Sequence, residues 1–265
     1  MMALLQAGPV ALDWFDLTLI SLCVLVNAAL SLWFRLRMEG ELLIASLRTL
    51  VQLLLIGYVL HHVFAIGSPW LVVAILTGMS LLAGQATVGR MKRRFRGVRW
   101  IATGSILVPC FLMLTYAVFV VIQPPDWSDP AYLIPIGGMV LGNSLTAISL
   151  AMDRFTNAML ERRREVDALL CLGATPAEAV HSLTKDGIRT GMTPMLNAMT
   201  VVGLVSLPGM MTGQILGGSP PELAVRYQIL IMFLLAGSTA LGSGIAVVWL
   251  RSALLDPRGR LRHLS

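Results

Sequence analysis

The sequence predicts an all-α integral membrane protein with seven transmembrane helices and a short cytosolic helical segment between the fifth and sixth helices. Composition is the first observation: 56% of the residues are hydrophobic and 13% are charged, with a mean hydropathy of +0.78. Soluble domains carry about 25% charged residues, so this composition indicates a lipid environment. The recurrence of apolar runs and the alternation of basic connections are the other two observations, and a single transmembrane domain over 1–265 accommodates both.

Apolar runs long enough to cross a membrane recur seven times. A helix needs about 20 residues to cross about 30 Å of hydrocarbon. Backbone groups in lipid must be satisfied within each span, which favours helices over an open sheet. The predicted spans are Trp14–Phe34, Leu42–His61, Trp70–Gly89, Trp100–Ile122, Tyr132–Met152, Ile188–Leu216 and Leu223–Leu250.

Basic residues alternate between successive connections and thereby predict the orientation. Clusters of arginine and lysine follow the first, third, fifth and seventh spans, whereas the connections 61–69, 123–130 and 217–222 contain neither residue. The positive-inside rule then places the N-terminus outside and the C-terminus in the cytosol. The net charge of +6 follows from this topology and from anionic lipid, so no nucleic-acid partner is expected.

A polar stretch between the fifth and sixth spans carries the start and stop signals of a short helix. Thr175 is a hydroxyl N-cap, Pro176 suits the first helical position, and Glu178 completes a Thr-x-x-Glu capping box. Gly173 allows the preceding helix to end abruptly. The pattern predicts an exposed, sharply bounded cytosolic helix over 172–179, with an ordinary helix-turn-helix loop as the alternative.

A glycine repeat follows a proline in the predicted sixth span. Gly209, Gly213 and Gly217 recur every four residues, the small-xxx-small spacing that lets two membrane helices approach closely. Pro208 removes a backbone hydrogen bond just before them, so a kink or a break is expected there. A broken helix at membrane depth is tolerated where it lines a cavity or is buried in protein; a gently kinked packing helix is the alternative.

Several polar or polarisable side chains within the spans are candidates for lining a pathway or packing between helices. Asn143 is the most polar point of the fifth span and serves either as a hydrogen-bonding contact between helices or as a pathway residue. Arg48 and Gln52 share one face of the second span, so an anionic solute stays possible as the transported substrate. Met210 and Met211 suit contact with soft cargo or flexible gap filling.

Missing motifs are informative as well. No phosphate-binding loop of the Gly-x-x-x-x-Gly-Lys-Ser/Thr type occurs, so binding of ATP by this chain is not expected. The spans lack a ring of carboxylates or histidines for a hard cation, so no metal ligands are assigned. A proton-coupled carrier usually places an ionisable group deep in a span, which makes a secondary transporter the weaker class. Neither catalytic residues nor a bound cofactor are predicted.

Two sets of residues resemble known bacterial permeases. Asp167-Ala168-Leu169 with Gly173 and Leu183 resembles the cytosolic EAA loop of ABC-transporter permeases. A closer resemblance covers nearly the whole chain. The motifs Pro135 to Met139, Gly142-Asn143, Leu172 to Pro176 and Gly203 to Gly213 are similar to the FetB/YbbM family of seven-span permeases.

This resemblance implies the permease subunit of an ABC exporter of iron in the bacterial inner membrane. It implies a homodimer, energised by a separate ATPase subunit that uses ATP and Mg and docks on the cytosolic 160–190 region. The stretch 172–179, the coupling segment hereafter, then contains the coupling helix. The ATPase-coupling residues would be Asp167, Leu172, Gly173, Ala174, Thr175, Pro176 and Glu178.

Two other functions are kept as alternatives. Plant relatives of the resembled family are linked to aluminium tolerance and to nucleotide-sugar transport, so an ABC permease for a nucleotide sugar or another anionic solute is the first. The second is a heptahelical binding or receptor protein without transport, because the same topology and the same basic loops would serve it.

Overall fold

The computed structural model describes residues 13–91 and 97–256, and the regular elements within those ranges are helices. Helices α1 to α5 are Trp14–Trp33, Glu39–Ile66, Pro69–Arg90, Val98–Tyr116 and Pro130–Glu161. A π-helical turn, Ala117–Ile122, continues α4. Helices α6 to α10 are Arg163–Cys171, Pro176–Ala179, His181–Val201, Gly209–Leu216 and Pro221–Leu254.

Six of the described helices, α1 to α5 and α10, are long and apolar enough to cross a membrane, α4 together with its π-helical continuation. The chain is therefore a multi-pass membrane protein. The first five predicted spans and the last one each fall on one of these helices. The length of α5, 32 residues, exceeds the need of a span, so one end of this helix extends beyond the hydrocarbon.

The sixth predicted span, Ile188–Leu216, is interrupted, so the break expected at Pro208 is confirmed and the gently kinked helix is not observed. Helix α8 ends at Val201, a tight turn follows, and α9 begins only at Gly209. Gly203 adopts a left-handed φ of +81° in this turn, and Pro208 occupies the N-cap position of α9, where its missing N–H costs no helical hydrogen bond. Hydropathy alone does not reveal this break, because the turn itself is apolar.

Helix α5 lies at the centre of the described bundle and packs against α3, α4, α8 and α10. Its side chains Ile148, Met152 and Phe155 are fully buried. Leu183 of α8 and Leu250 of α10 join them in the same core. Lipid tails are as apolar as these side chains, so dense packing rather than exclusion of water holds the helices together.

Helix α8 approaches α5 and α10 closely at two glycines. A Cβ atom at Gly191 would lie 2.7 Å from both the Ala147 carbonyl oxygen and the Ser243 Oγ. A Cβ at Gly187, one turn earlier, would lie 3.2 Å from the Ala151 carbonyl oxygen. Residue numbers rise on α8 as they fall on α5, so the two helices are antiparallel, with a backbone contact that a side chain at Gly191 would disrupt.

Buried hydroxyl groups add polar contacts between the central helices. The Ser144 Oγ of α5 and the Ser238 Oγ of α10 are 2.8 Å apart, and both residues are fully buried. A hydrogen bond between two membrane helices contributes about 0.6 kcal/mol on average. The pair therefore specifies the rotation of α5 against α10 more than it adds to stability.

Helices α1 and α2 pack mainly against each other and stay at the edge of the bundle. Ser31 and Val63 are their buried residues. In the connection between the two helices, Ser31 Oγ donates a hydrogen bond to Glu39 Oε2 at 3.1 Å, and Met38 N donates to Ser31 Oγ at 3.1 Å. This hairpin leaves most of its side chains available to lipid or to another protein.

We expect the connections before α5 and before α10 to lie outside the cell. A cysteine at Pro125 or Glu222, both exposed positions, should react with an impermeant maleimide in intact cells when Cys23 and Cys171 are replaced by serine. In the chain with Cys171 restored and no added cysteine, exposed Cys171 should react only after permeabilisation. Labelling of Cys171 in intact cells, with both added cysteines protected, would reverse the orientation.

Candidate coupling segment and membrane cavity

Gly173 terminates α6 through a Schellman motif. Its φ is +93°, a left-handed conformation that glycine adopts without steric cost. The Gly173 N–H donates to the Leu170 carbonyl at 3.1 Å, and the Ala174 N–H donates to the Leu169 carbonyl at 3.0 Å. These are the two hydrogen bonds of that motif. The chain therefore leaves α6 in a defined direction.

The predicted capping box forms at the start of α7. The Glu178 N–H donates to Thr175 Oγ1 at 3.3 Å, and the Thr175 N–H donates to Glu178 Oε2 at 2.8 Å. Pro176 occupies the first helical turn, as predicted. An N-cap of this type contributes about 1 kcal/mol, so the four-residue helix is held by its cap as well as by its neighbours.

The cap also changes the titration of Glu178. Hydrogen bonds from the Thr175 N–H and the Thr175 hydroxyl lower the pKa of the Glu178 carboxyl, because they stabilise its charged form. Because the pKa is lowered, the Glu178 carboxylate stabilises the capping box fully at pH values above the ordinary glutamate pKa. This stabilisation is lost as the pH falls through the lowered pKa.

The coupling segment is anchored at its base and exposed at its tip. Val166 of α6, Ala179 of α7 and Leu183 of α8 are buried in the core. Leu172, at the turn between α6 and α7, is 84% exposed. An apolar side chain held in the open on a firmly attached base is a suitable contact for another protein.

Asp167 does not belong to the tip itself. Its carboxylate lies 3.7 Å from Arg163 Nε, one turn earlier on α6, and both side chains are more than half exposed. Exposed pairs of this kind contribute little to stability. The coupling residues predicted around Leu172 are thus brought together in one turn, with Asp167 on the flanking helix.

A groove lies beside the coupling segment. Thr175, Pro176 and Ala177 form one wall, and Arg251 and Leu255 at the end of α10 form part of the other. The segment therefore lies across a groove from the end of α10, at the same end of the bundle. A partner that contacts α7 would also meet α10.

A cavity of about 490 Å³ lies where α8 ends and α9 begins. Its lining comes from the end of α8, the following turn, α9 and the first half of α10: Met199, Val202, Gly203, Leu207, Met211, Val225, Gln228, Ile229, Met232 and Phe233. Of the residues predicted around Pro208, Met211 lines this cavity, whereas Met210 packs against the core.

Two of the three glycines of the predicted repeat have no neighbour within the described chain, and the third, Gly217, lies just past α9, where a Cβ would be 3.2 Å from the Gly213 carbonyl oxygen. A Cβ atom added at Gly209 or Gly213 would meet nothing within 4 Å. A close helix contact of the described bundle is instead made by Gly187 and Gly191, which have the same four-residue spacing. Sequence reasoning missed this second pair, although the same signal marks it.

The polar candidates in the other spans face outward. Arg48 and Gln52 are exposed on α2, with no hydrogen-bond partner among residues 13–91 and 97–256. Asn143 is also exposed, and its Nδ2 donates to the Met139 carbonyl of its own helix at 2.9 Å. Hydrogen bonds between helices on this stretch are made instead by the adjacent Ser144, with Ser238, and by Thr146, whose Oγ1 accepts from Arg90 Nη1 at 3.4 Å.

Clusters of hard metal ligands do not occur in the described part of the chain. No group of three or more histidine, cysteine, aspartate or glutamate residues there comes close enough to hold an ion. Two cavity residues that sequence reasoning missed are Gln228 and Met199. A glutamine inside an apolar span was the available signal for the first of them.

The fold and the apolar helices define a multi-pass helical membrane protein. Within that class the chain belongs to the family described as Uncharacterised protein family UPF0014, whose model matches residues 14–255. No solved structure matches the chain.

Similar proteins come from bacteria and plants. The UPF0014 membrane protein slr1647 of Synechocystis is 42% identical over 90% of this chain and 92% of its own length. The Arabidopsis thaliana protein named ALUMINUM SENSITIVE 3 is 34% identical over 83% of this chain and 79% of its own length. The probable iron export permease protein FetB of Escherichia coli is 30% identical over 87% of this chain and 88% of its own length. These matches confirm the family predicted from the sequence motifs.

We expect protection of the capping box to depend on pH. In the purified chain, hydrogen exchange at the Thr175 amide, corrected for its intrinsic rate, should accelerate as the pH falls below about 4, near the ordinary glutamate pKa. Glu178→Gln removes the charge and keeps an acceptor oxygen, so it should exchange faster at pH 7 and lack this step. A wild-type profile that is flat between pH 7 and pH 3 would contradict the assignment.

Proposed function

We propose that this chain is the permease subunit of an ABC exporter, with iron as the cargo. A separate ATPase subunit docks on the cytosolic 160–190 region and supplies the energy. The observation that carries this proposal is the coupling segment: a doubly capped turn, anchored in the core, that holds Leu172 in the open. Similarity to a protein named as a probable iron export permease supports both the class and the cargo.

The coupling segment has the connections that a mechanical link requires. Helix α6 follows α5 directly, and α7 leads into α8 through Val180, which is fully buried. A partner that moves the segment would therefore move two helices of the bundle together. Rigid-body shifts of packed helices of this kind transmit events at one site to another.

The division of labour follows from the motifs. The chain lacks a phosphate-binding loop, so ATP and Mg are used by the partner subunit and this chain serves as a transport subunit rather than an enzyme. The chain resides in the bacterial inner membrane with its N-terminus outside and its C-terminus in the cytosol. Basic connections on alternate sides support that orientation.

A second copy of the chain completes the permease. Helices α1 and α2 bury few of their residues in one chain, and Gly209 and Gly213 of α9 meet no neighbour within the described chain. Surfaces of this kind suit contact between protomers, because small residues let helices approach each other. The homodimer would then present two coupling segments to two ATPase subunits.

Transport of an anionic solute, such as a nucleotide sugar, is the second candidate. The exposed Arg48 and Gln52 on α2 favour it, since a cation facing lipid without a partner is costly. A binding protein without transport would have the same topology but no need of an ATPase. Co-purification of an ATPase, followed by transport of iron or nucleotide sugar in vesicles, separates the three functions.

Substitution of Leu172 by aspartate should prevent the ATPase from docking. The change places a charge on the apolar tip without touching the core, so expression and membrane insertion should be retained. Co-purification of the ATPase and ATP hydrolysis dependent on the permease should both fall at least tenfold. Leu36→Asp, at a residue that is 56% exposed in the α1–α2 connection, is the matched control and should retain both. Equal results for the two variants would remove the coupling role from the tip.

Gly213→Leu should weaken the homodimer without unfolding the chain. The new side chain meets no described atom within 4 Å of its Cβ, so a loss of assembly reports on the second copy. Gly191→Leu, at the contact between α8 and α5, should instead reduce the yield of folded monomer. Size-exclusion chromatography with light scattering distinguishes the two effects. A Gly213→Leu protein that remains fully dimeric would exclude α9 from the interface.

A further inference from the structure

The cavity between α8 and α9 is rich in sulfur. Three of its ten lining residues are methionines, Met199, Met211 and Met232, whereas the whole chain has 15 methionines in 265 residues. They come from three different helices, so the enrichment is produced by the fold rather than by one run of sequence. A thioether sulfur is a soft, polarisable donor that suits soft metal ions.

Gln228 adds an oxygen donor to the same cavity. The residue is only 7% exposed, it lines the cavity, and its Oε1 atom is buried with no hydrogen-bond partner in the described chain. Buried polar atoms are normally paired. An unpaired carbonyl oxygen in a cavity accepts either a donor hydrogen or a metal ion.

The charges around the cavity restrict what it binds. Its lining contains no lysine, arginine or histidine and no carboxylate. An anionic solute finds no counter-charge there, and a hard cation finds neither the carboxylates nor the several oxygens that it requires. The donors that the cavity lining offers are neutral thioether sulfurs and an amide oxygen. Such donors select a soft or borderline transition-metal ion. The volume of about 490 Å³ leaves room for such an ion with some of its water.

The place of the cavity suits a transport site. It lies at the interruption between α8 and α9, and irregular backbone at membrane depth is tolerated where it lines a cavity. Gln214, three residues after Met211 on α9, also has a buried Oε1 without a partner in the described chain. Residues three apart share a helix face, so the Gln214 amide oxygen lies on the same face of α9 as Met211 and provides a second oxygen donor next to the cavity.

We infer that this cavity binds the cargo as a soft or borderline transition-metal ion, through the thioethers of Met199, Met211 and Met232 and the amide oxygen of Gln228. The inference rests on the proposed transport function and adds the ligands and the preference for soft ions. Neutral donors hold an ion weakly enough for it to be released, as a transport site requires.

Titration of the purified full-length chain, without any ATPase, tests this site. Ag(I) is the soft probe, Fe(II) under anaerobic conditions is the borderline probe and Mg(II) is the hard one. The parent should bind Ag(I) most tightly, Fe(II) more weakly and Mg(II) without saturation. The triple variant Met199→Leu, Met211→Leu and Met232→Leu should lose at least tenfold in Ag(I) affinity, since leucine keeps the volume and removes the sulfur.

The matched control replaces three partly buried methionines outside the cavity, Met79, Met113 and Met139, by leucine. It should bind Ag(I) like the parent. Equal affinities for the two triple variants, or equal losses, would overturn the inference, and so would saturable Mg(II) binding as tight as that of Ag(I).

Gln228→Glu keeps the test decisive even where a triple variant folds poorly. A carboxylate in place of the amide makes the oxygen donor harder, so Fe(II) affinity should rise at least threefold relative to that for Ag(I). An unchanged ratio would exclude Gln228 as a ligand. Failure of these titrations leaves ATPase docking at Leu172 untouched, and failure of docking leaves the titrations untouched, so the two hypotheses are separable.

Discussion

The close contact of α8 with the α5 backbone and with side chains of α10, at Gly187 and Gly191, is the constraint on which the rest of the bundle depends. In lipid there is little gain from hiding apolar surface between helices, so close packing and a few hydrogen bonds hold them. A Cβ at Gly191 would lie 2.7 Å from the Ala147 carbonyl oxygen. This proximity fixes the position of α8 along α5 and its rotation, and with them the place of every other side chain on α8.

Helix α8 connects the two candidate sites. Leu183, near its first turn, is buried beneath the coupling segment, and Met199, near its last turn, lines the cavity. The 21 residues of the helix span about 30 Å. Because the glycine contacts hold the middle of α8 against α5, a displacement of the segment would move these helices as a packed unit. The turn over 202–208 is where a change of direction is least costly, since the described backbone hydrogen bonds of residues 202–206 stay within 198–206 and none joins α8 to α9.

Local features were predictable, and the predictions around the coupling segment show why. The capping box at Thr175 and Glu178 and the helix stop at Gly173 depend on residues three or four positions apart, so their signals are contained in the sequence itself. Six of the seven predicted spans fall on helices, because a long apolar run is also a local property. The sixth span is divided between α8 and α9: Pro208 signalled the break, whereas the apolar turn around Gly203 has the composition of a span but not its conformation.

By itself the sequence determined the membrane environment, the apolar helices and the helix caps. Composition, apolar run length and near-neighbour hydrogen bonds are properties of short segments. Only the tertiary structure decided which small residues and which polar groups meet. It placed Gly191 rather than Gly213 against a neighbouring helix of the described chain, and Ser144 rather than Asn143 in the bond to α10. It also gathered Met199, Met211 and Gln228 from three helices into one cavity. These outcomes depend on the identity, depth and rotation of partners far away in sequence, information that no single segment contains.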